Sequence, residues 1–212
     1  MIFEINNSKF RALLNMLPPL DLAHGPWVAG GSVRKVHQGF GWEAGDIDVF
    51  FANEAQRTSW RKNFVQKLDL NTWRPASPYL VTGPESDWAH HYMSTDNAET
   101  WRLNISSLDI DGNQTSLQFI KSRYANSVQH LWNNFDLSVT EFATDGRYIV
   151  ASDRAIEDIN LNKITVTNPT NTKTLALRVF KYMTHGFNAS DELIIQAAHQ
   201  LAEDGVTWDD QY

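Results

Sequence analysis

No cysteine occurs among the 212 residues. That excludes a disulfide framework and a thiolate zinc site, so any metal must be held by oxygen or imidazole. Long apolar runs are also missing: nowhere do about 18 apolar residues follow one another, the length a membrane span needs. The opening MIFEINNSKFRALLNMLPPL has no basic stretch leading into an unbroken hydrophobic segment, which predicts a soluble, cytoplasmic chain without a cleaved signal. Basic charge is in deficit, with 18 Lys and Arg against 25 Asp and Glu and a formal net charge of -7. Such a surface is not expected to hold an extended nucleic acid by phosphate neutralisation, although a local basic pocket stays open. His90-His91 lacks a partner at metal-ligand spacing, and no His-Glu-x-x-His occurs, so these histidines read as core or surface residues.

What is present suffices for a folded core, since 42% of the residues are hydrophobic. Without a repeat period, a low-complexity tract or a long Ser/Gly linker, the sequence reads as one compact unit with a helical extension. The expected division places a head at residues 1–168 and the extension at 169–212, with the boundary at Asn168 and Pro169.

Residues 8 to 16 are predicted to form a short helix ending before Pro18 and Pro19. Trp27 to Ala29 and Asp46 to Phe51 read as strands, with a short helix from Ser32 to Gln38 between them. Asn53 is a plausible cap for a helix over 54 to 68. Prolines interrupt residues 70 to 100, where irregular structure is expected. Leu103 to Leu108 and Leu117 to Ile120 read as a hairpin turning at Asp111-Gly112, and Leu137 to Phe142 with Tyr148 to Val150 as another turning at Asp145-Gly146. Two helices are predicted in the tail, over 172 to 185 and 190 to 203, parted by Gly186. The eight tryptophans are expected to serve packing, and Trp88, Tyr92 and Trp101 lack the basic stripe a base-stacking platform needs. Asp109-Ile110-Asp111 is read as turn chemistry.

Two motifs carry chemistry. Gly30-Gly31-Ser32, placed after a strand and leading into a helix, presents backbone N–H groups and a hydroxyl at the positive end of that helix, where polyphosphate binds. It is also an ordinary turn sequence. Asp46 and Asp48, two apart on a strand, project from one face and can grip a divalent cation, magnesium being the hard ion that carboxylates suit. Alone they also fit a solvated strand end.

Taken together, Gly-Gly-Ser after one strand and Asp-Ile-Asp on the next resemble the signature of the DNA polymerase beta nucleotidyltransferase superfamily. The segment VAGGSVRKVHQGFGWEAGDIDVFF is most similar to the head of tRNA nucleotidyltransferases and bacterial poly(A) polymerases, which open with Gly-Gly, a spacer, Val-Arg-Asp and Asp-x-Asp. FDLSVTEFATDGRYIV, AIEDINLNKITV and NPTNTKTLALRVFKYMTHGF resemble later motifs of that family more loosely. The resemblance implies an α+β nucleotidyltransferase head with a mixed central sheet flanked by helices, and a short helical C-terminal extension. It implies that Gly30, Gly31 and Ser32 hold a nucleoside triphosphate, that Asp46 and Asp48 bind two magnesium ions, and that Arg34 helps orient the nucleotide. Arg178 and Lys181, one turn apart on the neck-like helix, would reach phosphate or stand as solvated helix charges. Lys35 stands where the family has an aspartate, and Phe135 where it has an arginine before Asp136. Gln118 stands where a third carboxylate is expected, and an amide accepts no proton from an attacking hydroxyl. Asp136 is the nearest other candidate for that base.

The expected function is magnesium-dependent transfer of a nucleoside monophosphate from a nucleoside triphosphate to an acceptor hydroxyl on a small molecule, a protein or a nucleic-acid end. The alternative is a degenerate head that binds nucleotide or a partner protein without catalysis.

Overall fold

The computed structural model describes residues 1–67, 98–103, 105–111, 114–169 and 172–203. The irregular stretch expected over 70 to 100, with Trp88, His90, His91 and Tyr92, lies outside them except for its last three residues, as does Gly112. By packing, the chain divides into two compact units, Met1–Leu131 with Phe142–Ala151 and Trp132–Glu141 with Ser152–Tyr212. This division is drawn on other grounds than the motif boundary at 168 and 169.

The first unit is built on seven strands: β1 (Ile2–Glu4), β2 (Trp27–Ala29), β3 (Gly45–Phe50), β4 (Ala98–Arg102), β5 (Thr115–Ile120), β6 (Phe142–Thr144) and β7 (Tyr148–Ala151). They form one sheet in the order β1-β7-β6-β2-β3-β5-β4. β3 and β5 run parallel and every other neighbouring pair is antiparallel, which gives the mixed α+β sheet of the expected fold class. Four helices belong to the N-terminal stretch: α1 (Ser8–Met16), α2 (Gly31–His37), α3 (Glu54–Lys67) and α4 (Val128–Asn133).

Local chemistry sets these boundaries. Asn7 caps α1 by accepting from the Phe10 N–H at 2.8 Å, and the helix ends at the extended Leu17, as the residue before Pro18 requires. Asn53 accepts from the Gln56 N–H at 2.9 Å and caps α3. In β5 the burial alternates, Thr115, Leu117 and Phe119 being covered and Ser116, Gln118 and Ile120 half-exposed. The covered face meets α3: the Phe119 ring lies 5.2 Å from both Trp60 and Phe64, and Phe64 lies 5.2 Å from Trp101. Each such aromatic contributes roughly 1.5–3 kcal/mol by leaving water. Trp101 is thus a core residue, 5% exposed.

Each hairpin differs from its sequence reading, and in the first one Leu103 to Leu108 lies in the connection while the pairing strand is the preceding one. β4 pairs with β5 from Ala98 to Arg102, and the connection is longer than a tight turn, holding a bridge between Ile105 and Ile110 around a 3-10 turn at Ser106–Leu108. The strand before Asp145-Gly146 begins at Phe142, because Ser138–Thr140 coils into a 3-10 turn in which the Thr140 hydroxyl donates to the Leu137 carbonyl at 2.7 Å.

The second unit contains α5 (Asp153–Asn160), α6 (Thr172–Thr184) and α7 (Asp191–Glu203). Leu137, Val139, Ile164, Val179, Phe187 and Leu201 are among the residues of its core. α6 and α7 are parted by Gly186, whose φ of +87 is the left-handed geometry glycine takes after a helix. Two of its buried carboxylates are held in pairs: Arg154 binds Glu141 at 2.5 Å, and the Ser138 hydroxyl donates to Asp158.

Candidate active site

β3 turns Ile47 and Val49 into the core and leaves Asp46 exposed and Asp48 half-exposed on the opposite face. That face is the one turned away from the aromatic cluster of α3. Across the parallel ladder Asp46 is registered with Ser116 and Asp48 with Gln118. Ser116 donates its hydroxyl hydrogen to Oδ1 of Asp46. On the other side, Ala29 of β2 is registered with Asp48, and the chain turns immediately afterwards at Gly30.

Gly30 has φ 94 and ψ -149, a conformation essentially reserved for glycine. A Cβ built on it would lie 3.7 Å from Oδ2 of Asp48, so the turn and the carboxylate are neighbours. The Gly30 N–H donates to the Phe142 carbonyl at 2.9 Å and serves the sheet. Ser32, in the first turn of α2, is 6% exposed and its hydroxyl has no hydrogen-bond partner. An orphaned buried hydroxyl is costly unless something else satisfies it.

The remaining residues named from the sequence have partners of their own or stand exposed. Arg34 is 2% exposed and donates at 2.5 Å to the side chain of Gln38, the C-cap of its helix. Lys35 donates to the Ala44 carbonyl at 3.4 Å, and its Nζ lies 4.0 Å from where a Cβ of Gly45 would be. In the second unit Asp136 and Arg178 form an ion pair, with the guanidinium 2.9 Å from Oδ1 and donating to Oδ2 at 3.0 Å. Lys181 lies exposed on the same helix as Arg178. The structure therefore brings together Gly30, Asp46, Asp48, Ser116 and Gln118, and separately Asp136 and Arg178. The hydroxyl of Ser116 on Asp46 was not foreseen, although the alternation of TSLQFI places Ser116 and Gln118 on one face.

Two carboxylates, one hydroxyl and one amide carbonyl make an all-oxygen donor set, which fits a hard divalent cation such as magnesium. Among the described residues no cluster of three or more His, Cys, Asp or Glu suited to a metal occurs, and the acids that these residues bring to this place are Asp46 and Asp48. No helix of the described residues is long and apolar enough to cross a membrane.

A family model described as Gabija anti-defense 2 family protein matches residues 4–162. Among solved structures, a CCA-adding enzyme in complex with ATP superposes with a TM-score of 0.56 at 15% identity, over 98% of this chain and 47% of the other. The Thermotoga maritima CCA-adding enzyme complexed with tRNA gives 0.54 at 13% identity, over 98% of this chain and 48% of the other. The Bacillus stearothermophilus CCA-adding enzyme in complex with CTP gives 0.53 at 14% identity, over 93% and 45%. The chain thus spans about half the length of these enzymes, and the likeness is one of fold: the architecture is that of a nucleotidyltransferase head. No curated protein matches the chain by sequence.

Proposed function

The chain belongs to the Gabija anti-defense 2 family, and from that premise, joined to its nucleotidyltransferase fold, we propose that it is a magnesium-dependent nucleotidyltransferase. It moves a nucleoside monophosphate from a nucleoside triphosphate to an acceptor hydroxyl, and the anti-defence role that the family description carries makes a protein or nucleic-acid acceptor natural. The observation that supports this best is the meeting of three motif residues: Asp46 and Asp48 share the open face of β3, and Gly30 turns beside Oδ2 of Asp48.

In this reading Gly31 and Ser32 present a backbone N–H and the unpartnered hydroxyl to the outer phosphates. Asp46 and Asp48 hold magnesium, which when bound neutralises the triphosphate and polarises the phosphorus under attack. The acceptor oxygen forms a bond to the α-phosphorus, the bond to the β-phosphate oxygen breaks, and pyrophosphate leaves. Residues 1–168 act as the head and 169–212 as its neck-like extension. The nucleotide contacts assigned to Arg34, Arg178 and Lys181 belong to the same proposal and rest on motif position, and the role of base expected of Asp136 on the same ground competes with its ion pair to Arg178.

A second reading is favoured by one observation, the amide of Gln118 registered with Asp48. The acceptor's proton must go to a base, and an amide does not take it. The fold then binds nucleotide, or a partner protein, without transferring anything.

Incubation with each labelled triphosphate and magnesium, scored for pyrophosphate and labelled product, tests the first reading. Calorimetry of triphosphate binding in the wild type and in the Asp46→Asn, Asp48→Asn double variant tests the site common to both. The expected result is binding that needs magnesium and is lost in a folded double variant. Equal affinity in the presence and absence of magnesium, or an unaffected double variant, would remove the assignment.

A further inference from the structure

The parallel pairing of β3 with β5 gives each carboxylate one cross-strand neighbour on the open face, and neither neighbour carries charge. Asp46 faces Ser116 and Asp48 faces Gln118. Strands in a sheet lie about 4.8 Å apart, so these are the side chains nearest to each carboxylate across the ladder. The Ser116 hydroxyl has a single hydrogen, and it is given to Oδ1 of Asp46. That bond fixes the direction of the Asp46 carboxylate and leaves Oδ2 to a cation. Gln118 is half-exposed on the same face, where its amide oxygen is a neutral donor that adds no negative charge.

Charge then limits how many ions the pair can hold. Two carboxylates balance one divalent cation. Two cations held about 3.5–4 Å apart repel each other and depend on carboxylates that bridge or flank them. Here the position beside Asp48 offers an amide instead, and the Lys35 ammonium at the start of the same strand, 4.0 Å from the place of a Gly45 Cβ, adds positive charge nearby. We infer that, if Asp46 and Asp48 form the cation site proposed above, the chain by itself holds one divalent cation there rather than two, with Ser116 as the positioning residue of Asp46 and Gln118 as a neutral neighbour of Asp48. The inference rests on the functional reading of that site and goes beyond it by fixing the ion count and naming the two residues that set it.

The test counts manganese bound by the full chain without nucleotide, using the paramagnetic resonance signal of free Mn2+ at known totals, with circular dichroism melting as a control. One Mn2+ per chain is expected, displaced by magnesium and lost in the Asp46→Asn, Asp48→Asn variant. Ser116→Ala weakens binding by roughly tenfold, as loss of a hydrogen bond to a charged group does, and Ser116→Thr, which keeps the hydroxyl, restores it. Gln118→Glu raises the count to two. A merely structural role for Ser116 would shift melting and leave the Mn2+ affinity alone, which overturns its assignment. Two ions in the wild type, or one ion still in Gln118→Glu, overturns the ion count while the nucleotidyltransferase reading stands. No Mn2+ bound by the wild type, or Mn2+ kept by the double variant, brings down that reading and the inference together. Should Ser116→Ala fail to fold, the wild-type count and Gln118→Glu still decide.

Discussion

Gln118 and Asp48 are registered partners in the parallel ladder between β3 and β5, so the amide for which the sequence resemblance implies a third acid stands across the ladder from Asp48. Converting it to an acid places a proton acceptor there without disturbing the core, because Leu117 and Phe119 on either side carry the buried face. If the site transfers nucleotide, Gln118→Glu is expected to raise turnover by about 10²-fold, the usual contribution of a positioned general base. Pyrophosphate release measures it. An unchanged or lowered rate would show that another group already takes the proton, or that the site binds only.

Gly30 offers a test of the turn that brings the loop to Asp48. An added methyl group would sit 3.7 Å from Oδ2, an ordinary contact, so the expected cost of Gly30→Ala is in the backbone and not in a collision. Holding a non-glycine residue at φ 94 and ψ -149 costs on the order of 1–3 kcal/mol. The variant should lower the urea midpoint accordingly and weaken triphosphate binding as the turn relaxes. Full stability with full binding would mean that the loop does not need this geometry.

The parts of the fold that were legible in the sequence are those whose signals are local. Asn7 and Asn53 announce their helices as caps, Pro18 stops the first one, and Gly186 parts the last two. Asp46 and Asp48 were legible because period-two alternation around Ile47 and Val49 fixes their common face. Alternation also puts Ser116 and Gln118 on one face of β5, but it does not say which residue of β3 each one meets. That depends on the ladder register, a long-range property that side-chain period leaves free. β1 is only three residues long and earns its pairing from β7, so no periodicity could reveal it. The pairing of Asp136 with Arg178 spans 42 positions and was equally invisible, each residue reading singly as a phosphate ligand or a base.

The charge of the whole chain bears on acceptors. A protein with a formal net charge of -7 gains little from counterion release on a polyphosphate strand. Bare tRNA is therefore expected to bind weakly at physiological salt, and a gel shift at submicromolar protein would contradict this and point to a localised basic groove.

Glu54 gives a pH dependence with a definite sign. Hydrogen bonds from Arg57, the larger cause, and from Tyr124 pull its carboxyl down to about 2 from an ordinary 4.5. A group depressed on folding contributes stability above its unfolded value, and that contribution disappears as pH falls from about 4.5 towards 2. The Glu54 side chain is 58% exposed, so solvent screening holds the effect below about 1 kcal/mol. Glu54→Gln should lower the urea midpoint slightly at pH 7, and the gap to wild type should close in acid. A gap that persists unchanged at low pH would assign the effect to packing.

The ion pair of Asp136 with Arg178 decides between a structural and a catalytic role for that carboxylate. Its side chain is 10% exposed and that of Arg178 30%, and its backbone carbonyl accepts from the Thr167 N–H at 2.8 Å. These contacts tie together segments of the second unit that are remote in sequence. Removing the guanidinium by Arg178→Ala leaves the carboxylate covered and uncompensated, and is expected to destabilise the fold by about 2–4 kcal/mol, the scale for breaking a largely buried pair. Asp136→Asn keeps the shape and an acceptor oxygen for Arg178, so its penalty should be smaller, about 1–2 kcal/mol. Because the carboxylate is already paired with Arg178, which donates to its Oδ2, Asp136→Asn is expected to show its deficit in denaturation and to keep pyrophosphate release within about tenfold of wild type, less than a positioned base contributes. The opposite pattern, wild-type stability and triphosphate affinity with product formation abolished, would return Asp136 to the role of general base and make Gln118→Glu neutral or harmful in the same assay.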